Sequence, residues 1–130
     1  MSTSPFDEVA ERVREKVAGF RALAFVGLDG NIEDISIVDE DFRTEALPEF
    51  ATLFRIAQRT SEDTSTGELS EMSWKSDRSI VLMSRVADDS FLILFGTDEV
   101  RTGLARYVLR HACRRLSLHL GNTVQPQRMA

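Results

Sequence analysis

The sequence predicts a single α+β domain, an α/β/α sandwich in which helices cover the faces of a central five-stranded antiparallel sheet. The length of 130 residues suits one domain, and a 42% share of apolar residues can build its core. Helical and strand periodicities alternate in the order α-β-β-α-β-β-β-α. Because hairpins and short turns join most strands, the sheet should be antiparallel. We expect the domain to cover residues 4–120, followed by a flexible C-terminal tail over residues 121–130.

The first helix is expected to begin after Ser4, a suitable N-cap, with Pro5 at the first helical position. Its apolar side chains recur at helical spacing and form one narrow stripe: Phe6, Val9, Ala10, Val13, Val17 and Phe20. Such a stripe predicts a helix that buries one face and leaves the rest in solvent.

A β-hairpin is predicted over residues 21–38, because Asp29 and Gly30 separate two apolar runs and both tolerate positive φ. The first run, residues 21–28, is apolar on both faces, so this strand should be central and covered on both sides. The second run, residues 32–38, interposes Glu33, Asp34 and Ser36 and should be less buried.

A second helix is predicted from Thr44, its expected N-cap, to about Thr60, with Pro48 in the first turn. Its apolar side chains spread over roughly half of the circumference, which is broader than contact with one sheet requires. They are Leu47, Phe50, Leu53, Phe54, Ile56 and Ala57. The polar residues 61–68 should form an exposed loop.

Three strands and a last helix complete the predicted domain. Residues 69–75 alternate, so that Met72 and Trp74 share one face. Residues 80–86 and 91–95 are rich in β-forming side chains and should form a second hairpin. The last helix is expected over residues 98–119, with Gly121 marking its end.

The composition argues against several classes of function. A formal net charge of −5 disfavours nucleic-acid binding, which requires a basic surface. No segment approaches the roughly 18 apolar residues of a membrane span, and the N-terminus has no signal-peptide pattern. We therefore expect a cytoplasmic protein without membrane insertion. The seven glycines match no phosphate-binding spacing, so no nucleotide cofactor is expected.

Few residues could support catalysis or metal binding. His111 and His119 are the only histidines, and the single Cys113 faces a different side of the helix from His111. We predict an inert thiol, no metal site and no enzymatic activity. An enzyme built on His111, Cys113 and the acidic residues that follow the hairpin is the least favoured alternative.

The acidic run Asp39, Glu40 and Asp41 is followed by Phe42 and Arg43. It lacks the ligand spacing of a calcium-binding loop, so a solvated loop is the favoured interpretation. The functional interpretation of the same residues is an electrostatic contact with a basic partner.

A second charged feature is the arginine stripe of the last helix, formed by Arg106, Arg110 and Arg114. We interpret it as a solvated face, with docking of nucleic acid as the less favoured alternative. The charge of the chain is polarised, because residues 29–49 hold eight acids against one arginine, whereas residues 98–120 hold five arginines against two acids. This asymmetry is expected to steer an approaching partner.

The wide apolar arc of the second helix and the alternating strand 69–75 predict a contact between two copies of the chain, because an open strand edge can pair with another edge. The residues expected at this dimer interface are Phe50, Leu53, Phe54, Ala57, Met72 and Trp74.

With this order of elements, the chain resembles the Roadblock domain family, which includes dynein light chains and bacterial partners of Ras-like GTPases. The resemblance covers about residues 5–118. It rests on the opening helix and the helix after the first hairpin, and on the segments RALAFVGLDGNIEDISIVD, SIVLMSRV, FLILFG and VRTGLARYVLRHACRRL.

The resemblance implies a profilin-like architecture and a homodimer, or a heterodimer with a related Roadblock protein. The third strands, here residues 69–75, would pair, and the second helices, here residues 44–60, would pack together. It also implies a non-enzymatic scaffold or activator that binds and regulates a small Ras-like GTPase. The alternative is a small-molecule-binding sensory domain of related α/β/α type, with its ligand between sheet and helix.

Overall fold

The structure, a computed structural model, describes residues 4–128, and their side chains as far as Gly121. It confirms the predicted α+β class and the order of elements. The elements are α1 (Pro5–Lys16), β1 (Phe20–Gly27), β2 (Ile32–Ile37), a 3₁₀ turn (Thr44–Ala46), α2 (Leu47–Asp63), β3 (Glu71–Lys75), β4 (Ser79–Ala87), β5 (Ser90–Thr97) and α3 (Thr102–Arg128).

The five strands form one antiparallel sheet in the order β2-β1-β5-β4-β3. Apolar residues of α1 and α3 pack on one face of the sheet, and those of α2 pack on the other. Strands β2 and β3 therefore lie at opposite ends of the sheet, and each has one neighbouring strand. The three layers match the α/β/α sandwich predicted from the sequence.

The start of α1 confirms the predicted cap. The Ser4 hydroxyl accepts a hydrogen bond from the Asp7 amide at 3.1 Å, and Pro5 occupies the first turn. The predicted stripe is buried, since Phe6, Val9 and Val13 are at most 3% exposed. Local chemistry is sufficient to place this helix.

The first hairpin also forms as predicted. Strand β1 is an interior strand between β2 and β5, and its residues Ala22, Leu23, Ala24 and Val26 are fully buried. Among residues 4–128, β2 pairs only with β1, and every residue in β2 except Ser36 is exposed. The expectation that β2 is the less buried strand is confirmed.

The predicted start of α2 needs correction. Thr44 is not an N-cap: it opens the 3₁₀ turn, and α2 begins at Leu47 after Ala46, which makes no side-chain capping bond. The reason is Pro48, whose missing amide could not bond the Thr44 carbonyl in an α-helix starting at Glu45. The helix also extends to Asp63, into the segment predicted as a loop.

Both ends of α3 differ from the prediction. The helix begins at Thr102, because residues 97–100 form a turn in which the Val100 amide donates to the Thr97 carbonyl at 3.2 Å. Gly121 does not end the helix, which continues to Arg128. A glycine lowers helix stability by about 1 kcal/mol, and a glycine that ends a helix commonly adopts a positive φ, which Gly121 does not.

The predicted tail thus begins inside a helix, and residues 129–130 lie outside the described residues. The flexibility expected for residues 121–130 stays a prediction. Among the residues described, no helix is both long enough and apolar enough to cross a bilayer.

Candidate interaction surface

The two segments predicted to carry surplus apolar surface lie side by side. Trp74 of β3 contacts Phe50 of α2, with ring centroids 5.3 Å apart. The register pairs Met72 with Met83 and Trp74 with Val81, which places Met72 and Trp74 on the sheet face that α2 covers. The apolar side of α2 therefore adjoins the open edge of β3.

Part of this region is exposed to solvent. Leu53 is 37% exposed, Ile56 58% and Trp74 45%, which is unusual for three large apolar side chains on neighbouring elements. We call the six residues Phe50, Leu53, Ile56, Ala57, Met72 and Trp74 the β3/α2 patch. Ile56 was not among the predicted interface residues, although its place in the wide apolar arc of α2 was a usable signal.

The assignment of Phe54 to an interface is wrong for this structure. Phe54 is fully buried and stacks on Phe91 of β5, with ring centroids 4.8 Å apart. A side chain without exposed surface cannot contact a second copy unless the fold changes. Leu53, the residue beside it, points to the exposed side instead.

The connection from α2 to β3 is held by Arg85 of β4, whose side chain is only 11% exposed. Its guanidinium donates to the carbonyls of Leu69 and Asp88, each at 2.9 Å, and to the side chain of Gln58 on α2. It also lies over the Phe54 ring, 5.3 Å from the centroid. Sequence reasoning missed this residue, although a lone arginine in an apolar strand was the available signal.

The other side of β3 is tied to α3 by charge. Arg106 donates to Glu71 at 3.0 Å, and Arg110 donates to both carboxylate oxygens of Glu71. These hydrogen bonds, with that of Arg110 the largest cause, lower the pKa of Glu71. Two of the three arginines interpreted as a solvated face thus hold the edge strand in place. Arg114, the third, is exposed.

The acidic loop after β2 is ordered by its own side chains. Asp39 accepts hydrogen bonds from the Asp41 amide at 3.0 Å and from Arg21 Nε at 2.7 Å, and both lower the pKa of Asp39. The Phe42 ring packs edge-on against Phe95 at 4.7 Å. Asp39 and Phe42 therefore help to hold the loop in its conformation.

The remaining residues of the loop, Glu40, Asp41 and Arg43, are exposed to solvent. Arg43 forms a surface ion pair with Glu45 at 3.1 Å. A contact between this loop and a basic partner stays a prediction, and these three side chains are the ones available for it.

The candidate catalytic groups do not come together. Cys113 is 6% exposed, donates to the Ser84 carbonyl at 3.5 Å, and has its pKa raised by burial to about 11. His111 is exposed and contacts the Tyr107 ring at 4.9 Å. Within the described part of the chain, no three His, Cys, Asp or Glu side chains are grouped so that they could hold a metal ion.

The sensory alternative requires a ligand space between sheet and helix. Both layers are filled by buried side chains, with Leu23, Leu92 and Leu109 on the α1/α3 side and Met83, Phe91 and Ile93 on the α2 side. This packing does not favour a small-molecule site, and the alternative stays a hypothesis.

The sheet order, the placement of the three helices and the open β3 edge define a Roadblock-domain fold, which is of the broader profilin-like type. Among solved structures, Myxococcus xanthus MglB matches with a TM-score of 0.84 and 13% identity, over 94% of this chain and 99% of MglB. A Roadblock/LC7 domain from Streptomyces avermitilis matches with a TM-score of 0.70 and 12% identity, over 95% of this chain and 98% of that domain.

The structure of MglC from Myxococcus xanthus has a lower TM-score of 0.65 but a higher identity of 29%, over 89% of this chain and 99% of MglC. No family model matches the chain, and no curated protein matches it by sequence. The similarity therefore lies mainly in three-dimensional structure.

Proposed function

We propose that this chain is a non-catalytic, dimeric interaction module that binds and regulates a small Ras-like GTPase. The second subunit is another copy or a related Roadblock protein. The observation that carries the proposal is the β3/α2 patch, an exposed apolar surface directly beside an open strand edge. The likeness to MglB and MglC supports it, since a Roadblock resemblance implies such a role.

Dimerisation would satisfy two physical demands of this surface. Pairing of two β3 strands would give their outward amides and carbonyls partners, and it would bring two α2 helices together. Leu53, Ile56 and Trp74 would then leave water. Burial of apolar surface contributes about 25 cal/mol per Å², so such a contact has a clear driving force.

Light scattering on the purified protein tests the dimer. We expect a mass of twice the 14.6 kDa of one chain. Ile56→Glu should return the mass to that of one chain, because a charge would enter the apolar contact. Tyr107→Glu is the matched control, since Tyr107 is 62% exposed but lies on α3, away from the patch. A wild-type protein that stays at the single-chain mass at high concentration would contradict the homodimer and would require a related Roadblock protein as the second subunit.

The GTPase role needs a separate experiment. A Ras-like GTPase from the same genome, loaded with a fluorescent GTP analogue, is titrated with the dimer while binding and hydrolysis are followed. We expect saturable binding that weakens with salt, because the exposed charges of Glu40, Asp41 and Arg43 are screened. If no such GTPase binds or changes its rate of hydrolysis, the dimer stands but the regulatory role falls.

A further inference from the structure

The end of the sheet opposite β3 carries a second open edge. Within the described part of the chain, strand β2 pairs with β1 alone. The Val38 amide donates to the Arg21 carbonyl at 3.0 Å, and hydrogen-bonded positions alternate along an antiparallel pair. The intervening residues Ile35 and Ile37 therefore direct their amides and carbonyls away from β1. These backbone groups are available to another strand.

The two faces of β2 differ in chemistry. Ile35 pairs with Ala24 and Ile37 with Ala22, so both isoleucines lie on the α2 side of the sheet. Together with Ile32 they are 36–40% exposed, which is high for isoleucine in a strand. Alternating strands normally bury one such face. This edge therefore presents an uncovered apolar row.

The opposite face of β2 is acidic. Asp34 pairs with Phe25 and faces the α1 side, where partial burial and the charge of Asp7 raise its pKa. The register of β2 shifts at Glu33, which has no partner on β1, and Glu33 lies on the same side as Asp34, where it lines a groove with Asp29, Asp89 and Ser90. The Ser90 hydroxyl is buried and has no hydrogen-bond partner among the residues described. An added positive charge would be stabilised on this face.

The edge pairs regularly with β1 from Asp34 to Ile37, after an irregularity at Glu33, and it is fixed at both ends before anything binds. At its start, Asp29 accepts from the Asn31 amide at 3.0 Å, and the Gly27 amide donates to the Asn31 carbonyl at 2.9 Å. At its far end, Arg21 and Asp39 form an ion pair at 2.6 Å. A prearranged strand loses little conformational entropy when it gains a neighbour.

The charge also selects the kind of partner. Two copies of β2 paired edge to edge would bring Glu33 and Asp34 of both chains together, and like charges on neighbouring strands oppose pairing. A strand with basic residues on one face and apolar residues on the other would instead match both faces of β2.

We propose that the β2 edge binds an extended segment of another protein, added as a sixth strand, in which lysine or arginine alternates with apolar residues. The backbone of Ile35 and Ile37 pairs with the incoming strand, the isoleucine side chains pack on its apolar face, and Glu33 and Asp34 bind its basic face. This proposal depends neither on self-association through β3 nor on a GTPase.

The test uses three fluorescein-labelled, capped eight-residue peptides in a fluorescence anisotropy titration of the full chain. The first alternates lysine and valine, the second replaces each lysine with glutamate, and the third has four lysines followed by four valines. We expect the first to bind with at least tenfold higher affinity than either of the others. Equal binding of all three would overturn the proposal.

Variants then locate the site. Ile35→Pro removes an outward amide without touching the β1 pairing, and Asp34→Lys reverses the charge at an exposed position. Each substitution should lower the affinity for the lysine–valine peptide at least tenfold. Asp34→Lys should also raise the affinity for the glutamate peptide. The matched control is Ser73→Pro on β3. The Arg85 amide donates to the Ser70 carbonyl, and because hydrogen-bonded positions alternate along the pair, the Ser73 amide points away from β4.

The control also separates this proposal from the dimer. Ser73→Pro should abolish self-association but leave peptide binding unchanged. Ile35→Pro should abolish peptide binding but leave self-association unchanged. Thermal melting verifies that each variant is folded. If Ile35→Pro does not fold, Asp34→Lys alone decides the test. The assignment to β2 would be overturned if a folded Ile35→Pro and Asp34→Lys both bind the peptide with unchanged affinity. It would also be overturned if only Ser73→Pro loses peptide binding.

Discussion

Arg110 of α3 donates hydrogen bonds to both carboxylate oxygens of Glu71, the first residue of β3. This bidentate contact joins the last helix to the edge strand that the dimer proposal requires. Arg106 donates two further hydrogen bonds to Oε1 of Glu71, at 3.3 and 3.0 Å. The edge strand is therefore positioned by electrostatics on one face and by the Trp74–Phe50 contact on the other.

Removal of the charge should loosen β3. In Glu71→Gln we expect faster amide hydrogen exchange across β3, with little change in β1 and β5, because the two arginines lose their anionic acceptor. The global loss of stability should be small, since both arginine side chains are about half exposed. Exchange measured by mass spectrometry or NMR checks this, and unchanged protection of β3 would contradict it.

The same pair predicts a pH dependence. The pKa of Glu71 is lowered from its usual 4.5, so its stabilising contribution is present above about pH 4.5 and is lost as the pH falls through the lowered value. Wild-type protein and Glu71→Gln should therefore differ in melting temperature at pH 7 and converge in acid. A constant difference down to pH 2 would show that the charge is not responsible.

Neighbouring residues on α2 should respond very differently to truncation. Phe54→Ala should lower the free energy of unfolding by about 3–5 kcal/mol, because Phe54 is fully buried and stacks on Phe91. Leu53→Ala, at 37% exposure, should cost the fold about 1 kcal/mol or less. Urea denaturation at equal, low protein concentration measures both, and similar losses would contradict the burial seen here.

The Cys113 thiol should be nearly inert while the protein is folded. Its pKa of about 11 leaves about a hundredfold less thiolate at pH 8 than an ordinary thiol has, and burial further limits access. We expect a disulfide reagent to modify Cys113 at least a hundred times more slowly in native protein than in denaturing urea. Since Cys113 is the only cysteine, the assay reports a single site.

Asp39 should titrate at unusually low pH. The Asp41 amide and the Arg21 guanidinium hold its pKa below the usual 3.8. In Arg21→Gln the pKa of Asp39 should rise toward 3.8 without reaching it, since the Asp41 amide remains bonded. Carboxyl NMR titration measures the shift. A pKa equal to the wild-type value would mean that Arg21 has no part in it.

Sequence patterns were sufficient wherever the determining interactions are local. The Ser4 cap, the α1 stripe and the Asp29–Gly30 turn depend on residues a few positions apart, and each forms as predicted. The errors at helix ends arise where a weak local preference competes with a stronger constraint. Thr44 is a good cap residue, but Pro48 forces a 3₁₀ turn before α2.

The exposed part of the β3/α2 patch required the folded chain. The apolar arc of α2 contains both Phe54 and Ile56, and its periodicity does not tell which of them meets the sheet. Their burial depends on how α2 is rotated over β5, where Phe91 contacts Phe54, and that rotation leaves Ile56 outside.

The sequence by itself determined the class of fold, the order of the elements and the burial of β1 on both faces, because periodicity and turn chemistry are encoded in neighbouring residues. Only the tertiary structure decided which apolar side chains remain exposed and that Arg106 and Arg110 meet Glu71. Those outcomes depend on contacts between residues more than thirty positions apart, and local preferences do not specify them.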